Sequence, residues 1–149
     1  RNVKLDEKDV ILFQKTKFHE EVEKENEPMK IILNFENMTA SIKGTNKEDN
    51  DRAELQLLQK SREFMSQNIL DMFSKEQVHL LSKQDVQNAI NNLFSIKGFN
   101  AHFKCDINMI ILYFVKGVDD SLLKEIINSH VVVKHQPIKS DMVFILQSE

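Results

Sequence analysis

Glycine and proline are scarce, with three Gly and two Pro in 149 residues. Few positions can adopt positive φ cheaply, so the glycine-rich loops that cradle phosphates cannot be assembled and a nucleotide-loop reading is poor. Cysteine is scarcer still. Cys105 stands alone, which rules out an intrachain disulfide framework and fits a reducing compartment, cytosolic or nuclear. Long apolar runs are missing as well: the longest, Met109 to Val115, falls far short of the roughly 20 residues needed to cross a bilayer. The opening Arg1-Asn2-Val3-Lys4 has no apolar signal core, so no membrane or secretion signal is expected. Nor is there a surplus of positive charge. A formal net charge of -3 gives no global attraction to a phosphate backbone, and any nucleic-acid site has to be local.

What is present is enough to fold. A hydrophobic content of 41%, with ten Phe and six Met, supports packed cores despite 29% charged residues. From Leu5 to about Glu25, Ile11, Phe18 and Val22 share one face among Lys and Glu, which predicts a helix stopped by Asn26-Glu27-Pro28. Ile31, Leu33 and Phe35 alternate, then Met38, Ala40 and Ile42 do so up to Gly44, which predicts a β-hairpin. Beyond the polar entry Thr45 to Asp49, the stripe Leu58, Met65, Ile69 and Met72 predicts a second helix ending near Phe73. Gln77 to Leu81 reads as a short strand, with Ser82 as the N-cap of the next helix.

The order then returns. Val86, Ala89, Ile90, Leu93 and Phe94 form an amphipathic helix closed by Gly98 in the usual C′ position. Phe99 to Cys105 alternates, Ile107-Asn108 makes a turn, and Met109 to Val115 is apolar on both faces like a central strand. After Gly117 a helix runs from Val118 to Asn128, and Val131 to Val133 and Met142 to Leu146 read as strands. Ile42-Lys43-Gly44 before Asp51 answers Val115-Lys116-Gly117 before Asp119 and Asp120. One unit therefore appears twice, in residues 1–75 and 76–149, each an α+β arrangement of a small antiparallel sheet packed by amphipathic helices. No Gly/Ser/Pro linker separates Phe73 from Ser82, so a fixed interface between the units is expected.

Few residues invite chemistry. His19, His79, His102, His130 and His135 lack the paired spacing with Cys or acidic partners that a tetrahedral metal site needs; no metal and no cofactor is expected. His102 falls on the polar face of its strand and reads as a surface residue. Cys105 shares a face with Phe103 and Ala101, where a thiol behaves as a small hydrophobe. The pairs Glu20-Glu21 and Asp119-Asp120 sit on polar stretches without the burial that shifts a catalytic carboxyl, and the second pair suits a helix start. Lys43, Lys47 and Arg52, with Lys60 and Arg62 beyond, form the one phosphate-facing set. Glu48, Asp49, Asp51 and Glu54 are interleaved with it, which makes a solvated mixed-charge helix the preferred reading of the set.

From Gln77, the order strand, helix, strand, strand, helix resembles the K-homology (KH) topology of RNA-binding domains. The first unit matches if its opening strand precedes Arg1, and the start at Arg1 and stop after Met142 to Leu146 read as cuts in a longer chain. The hairpins with basic-Gly exits, Ile42-Lys43-Gly44 and Val115-Lys116-Gly117, are similar to the KH-like arrays of macrodomain-containing mono-ADP-ribosyltransferases of the interferon-linked PARP group. That resemblance implies an accessory region of a cytoplasmic or nuclear enzyme of the innate immune response. It also implies partners among other domains of the same chain or other proteins. The Gly-x-x-Gly loop with which KH domains grip RNA is absent, since Gly44, Gly98 and Gly117 are isolated. Glycine-rich ADP-ribose loops and a His-Tyr-Glu transferase constellation are absent too. Two functions are carried forward: a non-catalytic scaffold or interaction region, and a weak single-stranded RNA module using Lys43, Lys47 and Arg52.

Overall fold

A computed structural model describes residues 1–105 and 109–135. The first half runs β1 (Asn2–Lys4), α1 (Glu7–Thr16), α2 (Phe18–Glu25), β2 (Lys30–Asn34), β3 (Thr39–Lys43) and α3 (Lys47–Phe64). The second half runs β4 (Met65–Leu70), α4 (Lys75–Leu81), α5 (Gln84–Ile96), β5 (Ala101–Cys105), β6 (Ile110–Val115) and α6 (Asp120–His135). Each half is thus strand, two helices, two strands, helix, and each makes one antiparallel three-stranded sheet with its last strand in the middle, β1-β3-β2 and β4-β6-β5. Among the described residues the chain is therefore α+β, with six helices and two small antiparallel sheets.

The alternation of the sequence explains the sheets. In the first, Val3, Ile31, Ala40 and Ile42 are buried and share a core with Val10, Leu12 and Phe13 of α1 and Ala53 and Leu57 of α3. In the second, Ala101, Phe103, Cys105, Ile110 and Leu112 bury against Val86, Ile90 and Phe94 of α5 and Leu123 and Ile127 of α6.

The other face of the second sheet is partly covered, with Gln67 and Ile69 of β4 left exposed. Met65, Tyr113 and Val115, which point away from α5 and α6, belong to the first half's core, and α1 packs on β4, β5 and β6 as well as on β2. Helix α1 lies between the two sheets and serves both, which leaves only Gln14 of its ten residues exposed. The two halves pack on each other through α1, with no linker between them.

Several expectations are corrected. The helix expected over 5–25 breaks at Lys17, which takes the left-handed φ of 64° and caps α1 through its N–H to the Phe13 carbonyl. The opening strand expected before Arg1 is present as β1, held by Asn2, Val3 and Lys4 opposite Ser41, Ala40 and Thr39. The second helix stops at Phe64, because Met65 to Leu70 pair along Val115 to Ile110 of β6. The change of sheet thus falls at Met65, ahead of the expected boundary between 75 and 76. Gln77 to Leu81 is helical: Ser74 accepts from the Gln77 N–H and the Gln77 side chain accepts from the Ser74 N–H, a reciprocal capping box. Ser82 ends α4, and Lys83 is the N-cap of α5. Val131 to Val133 continue α6. Gly98 takes the C′ role expected of it, with φ of 78° and the Phe99 N–H on the Phe94 carbonyl at 2.8 Å. The turn Ile107-Asn108 and the strand Met142 to Leu146 lie outside the described residues.

Candidate interaction surface

The basic set predicted from sequence is divided by the fold. Lys43 ends β3 and is exposed. Lys47, in the first turn of α3, pairs with Asp51 at 3.0 Å, and the Asp51 carboxylate also holds the Arg1 guanidinium. Arg52 pairs with Asp49 and donates from Nε to Asn26 Oδ1 at 2.9 Å. Buried Asn26 in turn donates to the Val22 carbonyl and to Gln56 Oε1, both at 2.8 Å. Arg52 therefore ties α3 to the end of α2, a structural task that sequence spacing did not suggest. Lys60 pairs with Glu21 at 3.1 Å and lies over the rings of Phe18 and Phe64. Arg62 is exposed. Two of the three predicted residues are thus engaged by carboxylates, and their charge is locally offset.

The junctions between consecutive helices are short, Lys17 between α1 and α2 and Ser82-Lys83 between α4 and α5. Beside the first junction an open cleft of about 650 Å³ runs between α2 and the start of β2. Glu20, Glu21, Glu23 and Glu27 line it against Lys17, Lys24 and Lys30. A cleft with more carboxylates than amines is poorly suited to hold phosphates.

Where α1 meets the second sheet, a polar cluster joins the halves. Glu7 Oε1 accepts from Lys104 Nζ at 2.6 Å and from the Tyr113 hydroxyl at 2.9 Å. Burial works against ionising Glu7, but the hydrogen bonds from Lys104 and Tyr113 hold its carboxyl below the usual carboxylate range. Burial and the Glu7 contact push the Tyr113 hydroxyl up. His102 stacks on Tyr113, ring centroids 6.3 Å apart. It is partly buried, not the surface residue its strand position suggested, and burial together with the Lys15 charge lowers it to about 4. Cys105 is buried as expected, its Sγ 3.6 Å from the Val78 carbonyl.

Side chains cap part of two sheet edges, those of β5 and β2. Asn91 donates to the Phe103 carbonyl and accepts from its N–H, and Gln87 does the same for Cys105, one helical turn apart on α5. Glu23 of α2 accepts from the Ile31 N–H of β2 at 2.6 Å. Such caps remove the unpaired ladder groups through which an edge recruits another strand.

What stays open is the outer face of the first sheet. The register places Asn2 and Lys4 of β1, Thr39, Ser41 and Lys43 of β3, and Lys30, Ile32 and Asn34 of β2 on it. Three lysines lie on this face, no carboxylate is among its eight residues, and Ile32, on the edge strand β2, is 54% exposed. Sequence reasoning singled out Lys43 alone. The signal for the rest was available, because the alternation that sends Ile31 and Leu33 inward sends Lys30, Ile32 and Asn34 outward.

Among the described residues no cluster of three or more His, Cys, Asp or Glu could hold a metal ion, and no helix is long and apolar enough to cross a membrane. Comparisons with family models, curated proteins and solved structures find no match to this chain. The class the fold defines is an α+β protein of two small antiparallel sheets joined through a shared helix.

Proposed function

We propose that the chain is a pair of degenerate KH-like units acting as one rigid, non-catalytic interaction module. The repeated order of strand, two helices, two strands and helix, with the last strand central in both sheets, supports the KH-like reading. By the same resemblance the module serves a larger mono-ADP-ribosyltransferase of the interferon-linked group, and orients neighbouring domains or protein partners. The observation that carries the reading is the placement of α1 between the sheets, locked by Glu7 to Lys104 and Tyr113. It makes two small units a single body with a fixed shape, which is what a scaffold requires.

RNA gripping is disfavoured by the junctions at Lys17 and Ser82-Lys83, which lack glycine, by the glutamates lining the neighbouring cleft, and by the engagement of Lys47 and Arg52. The test has two arms. Urea unfolding followed by fluorescence and by circular dichroism is expected to give one coincident transition. Glu7→Ala should lower its midpoint by the equivalent of about 1–3 kcal/mol, because the Lys104 ammonium and Tyr113 hydroxyl lose their shared acceptor. Labelled single-stranded RNA should not bind saturably even at low salt. Two separated transitions would sink the rigid module. Salt-dependent RNA binding abolished by replacing Lys43, Lys47 and Arg52 with alanine would establish the RNA module instead.

A further inference from the structure

The hydrogen-bond pattern of the second sheet leaves one of its strand edges open. In an antiparallel ladder, every second pair of opposed residues exchanges bonds. The Lys116 N–H on the Phe64 carbonyl at 2.7 Å therefore sets Ser66, Asn68 and Leu70 of β4 towards β6, and turns the main-chain groups of Met65, Gln67 and Ile69 outwards. At the opposite edge the Val115 N–H on the Asn100 carbonyl turns Phe103 and Cys105 outwards, and these are the residues that Asn91 and Gln87 cap. On β4 the Met65 N–H is taken by the Ser61 carbonyl. Among the described residues nothing meets the outward N–H and C=O of Gln67 or Ile69, and the Ile69 side chain is 57% exposed. The usual protections of an edge are missing here as well. The other edge strands carry Lys4, Lys30 and Lys104, whereas Met65–Leu70 has no charge, no proline and no glycine.

We propose that the β4 edge pairs antiparallel with β4 of a second copy of the chain, joining two three-stranded sheets into one across a two-fold axis at Asn68. The open groups select this occupant and this register. With Asn68 on the axis, Gln67 lies opposite Ile69 of the copy and Ile69 opposite its Gln67. Each such pair exchanges two main-chain bonds, which satisfies all the open groups of both residues and asks nothing of Met65, whose N–H is already used. On the face turned to the first half, the two exposed isoleucines become diagonal neighbours, each beside a glutamine stem. On the other face Asn68 meets itself. One N–H of its amide is held by Asp120 at 3.0 Å, and the other can reach the Asn68 oxygen of the copy, reciprocally. The Asp120 carboxylates near the axis are each offset by their own Lys124 at 3.4 Å. A two-fold axis sets a strand against itself, so a strand without charge meets no repulsion there. A single strand pair buries less than the roughly 1,200 Å² of stable complexes, so the dimer is weak and forms with concentration. Nothing in this pairing depends on the KH-like reading.

The test is sedimentation equilibrium of the full chain up to about 1 mM, with amide exchange followed by NMR over the same range. The mass should rise from one chain towards two, and the Gln67 and Ile69 amides should become protected as it does. Replacing both Gln67→Lys and Ile69→Lys sets like charges opposite one another and should weaken association by about tenfold or more. Replacing Gln67→Glu with Ile69→Lys instead sets opposite charges in register across the axis and should hold association within about threefold of the parent. Both positions are exposed, so both double variants should unfold like the parent. A single-chain mass throughout would overturn the proposal, as would a dimer that the two lysines leave untouched. Association lost equally in both double variants would overturn the register. Protection of Gln67 and Ile69 in a chain that stays monomeric would show the edge to be covered by residues 136–149 of its own chain, and would overturn the proposal too.

Discussion

Lowering the pH from 7 to 5 should destabilise the chain through His102 in a way that one substitution removes. Burial, the Lys15 charge and Lys104 push the imidazole from 6.5 down to about 4, with Glu7 opposing them. In the unfolded chain His102 gains its proton as the pH falls through about 6.5, while in the folded chain it stays neutral until near 4. The stability tied to the neutral ring is fully present above the unfolded value, is lost progressively across that interval, and levels off below it. Worked through, the difference reaches about 2 kcal/mol at pH 5, and the ring's residual solvent exposure trims it to about 1–2 kcal/mol. Urea denaturation of the parent and of His102→Gln at both pH values isolates this contribution, because glutamine keeps a comparable volume and does not titrate. Glu7, held below the usual carboxylate range, loses its contribution at lower pH in both proteins and largely cancels. If parent and variant lose the same stability between pH 7 and 5, within about 0.5 kcal/mol, then α1 does not cover His102 as described.

Two further outcomes rest on packing and backbone. Phe94→Ala removes a fully buried ring from the centre of the second core and should cost about 3–5 kcal/mol by chemical denaturation; a cost under about 1 kcal/mol would show the α5 register to be wrong. Gly98→Ala should cost about 1–2 kcal/mol, read as a lowered thermal midpoint, because φ of 78° strains any residue with a Cβ although the space around it is open; an unchanged midpoint would refute the left-handed cap.

The parts legible in the sequence are those where periodicity and punctuation agree. Helix α5 with Gly98 and the β2-β3 hairpin are legible because each carries a clean period and a glycine at its end, and the strand before Gly117 because an unbroken apolar run of strand length ends at a glycine. The departures arise where tertiary pairing overrides local pattern. Met65 and Ile69 extend the helical stripe of α3, yet β6 claims them as a strand, and the polar Ser66, Gln67 and Asn68 between them give no warning. Val131 to Val133 look like a strand by composition, but Leu123, Ile127 and Val131 are buried at helical spacing. The Ser74-Gln77 capping box is a visible signal that the apolar content of Gln77 to Leu81 outweighed. Nothing in the local composition marks Lys17 as the break between α1 and α2, since neither glycine nor proline stands there. The open sheet face is legible in the alternation of β2, whereas the closure of the second sheet depends on Glu7 and Tyr113, 106 positions apart, a separation no local pattern reports.

That separation sets an order of events during synthesis. Helix α1 leaves the ribosome before β6 exists, so until β6 emerges one side of α1 has no partner. Cutting the chain at Met65 would therefore yield unequal products. The leading piece would keep a helix missing one neighbour, while the trailing piece would carry Met65, Tyr113 and Val115 into water and associate with itself at concentrations where the intact chain stays dispersed.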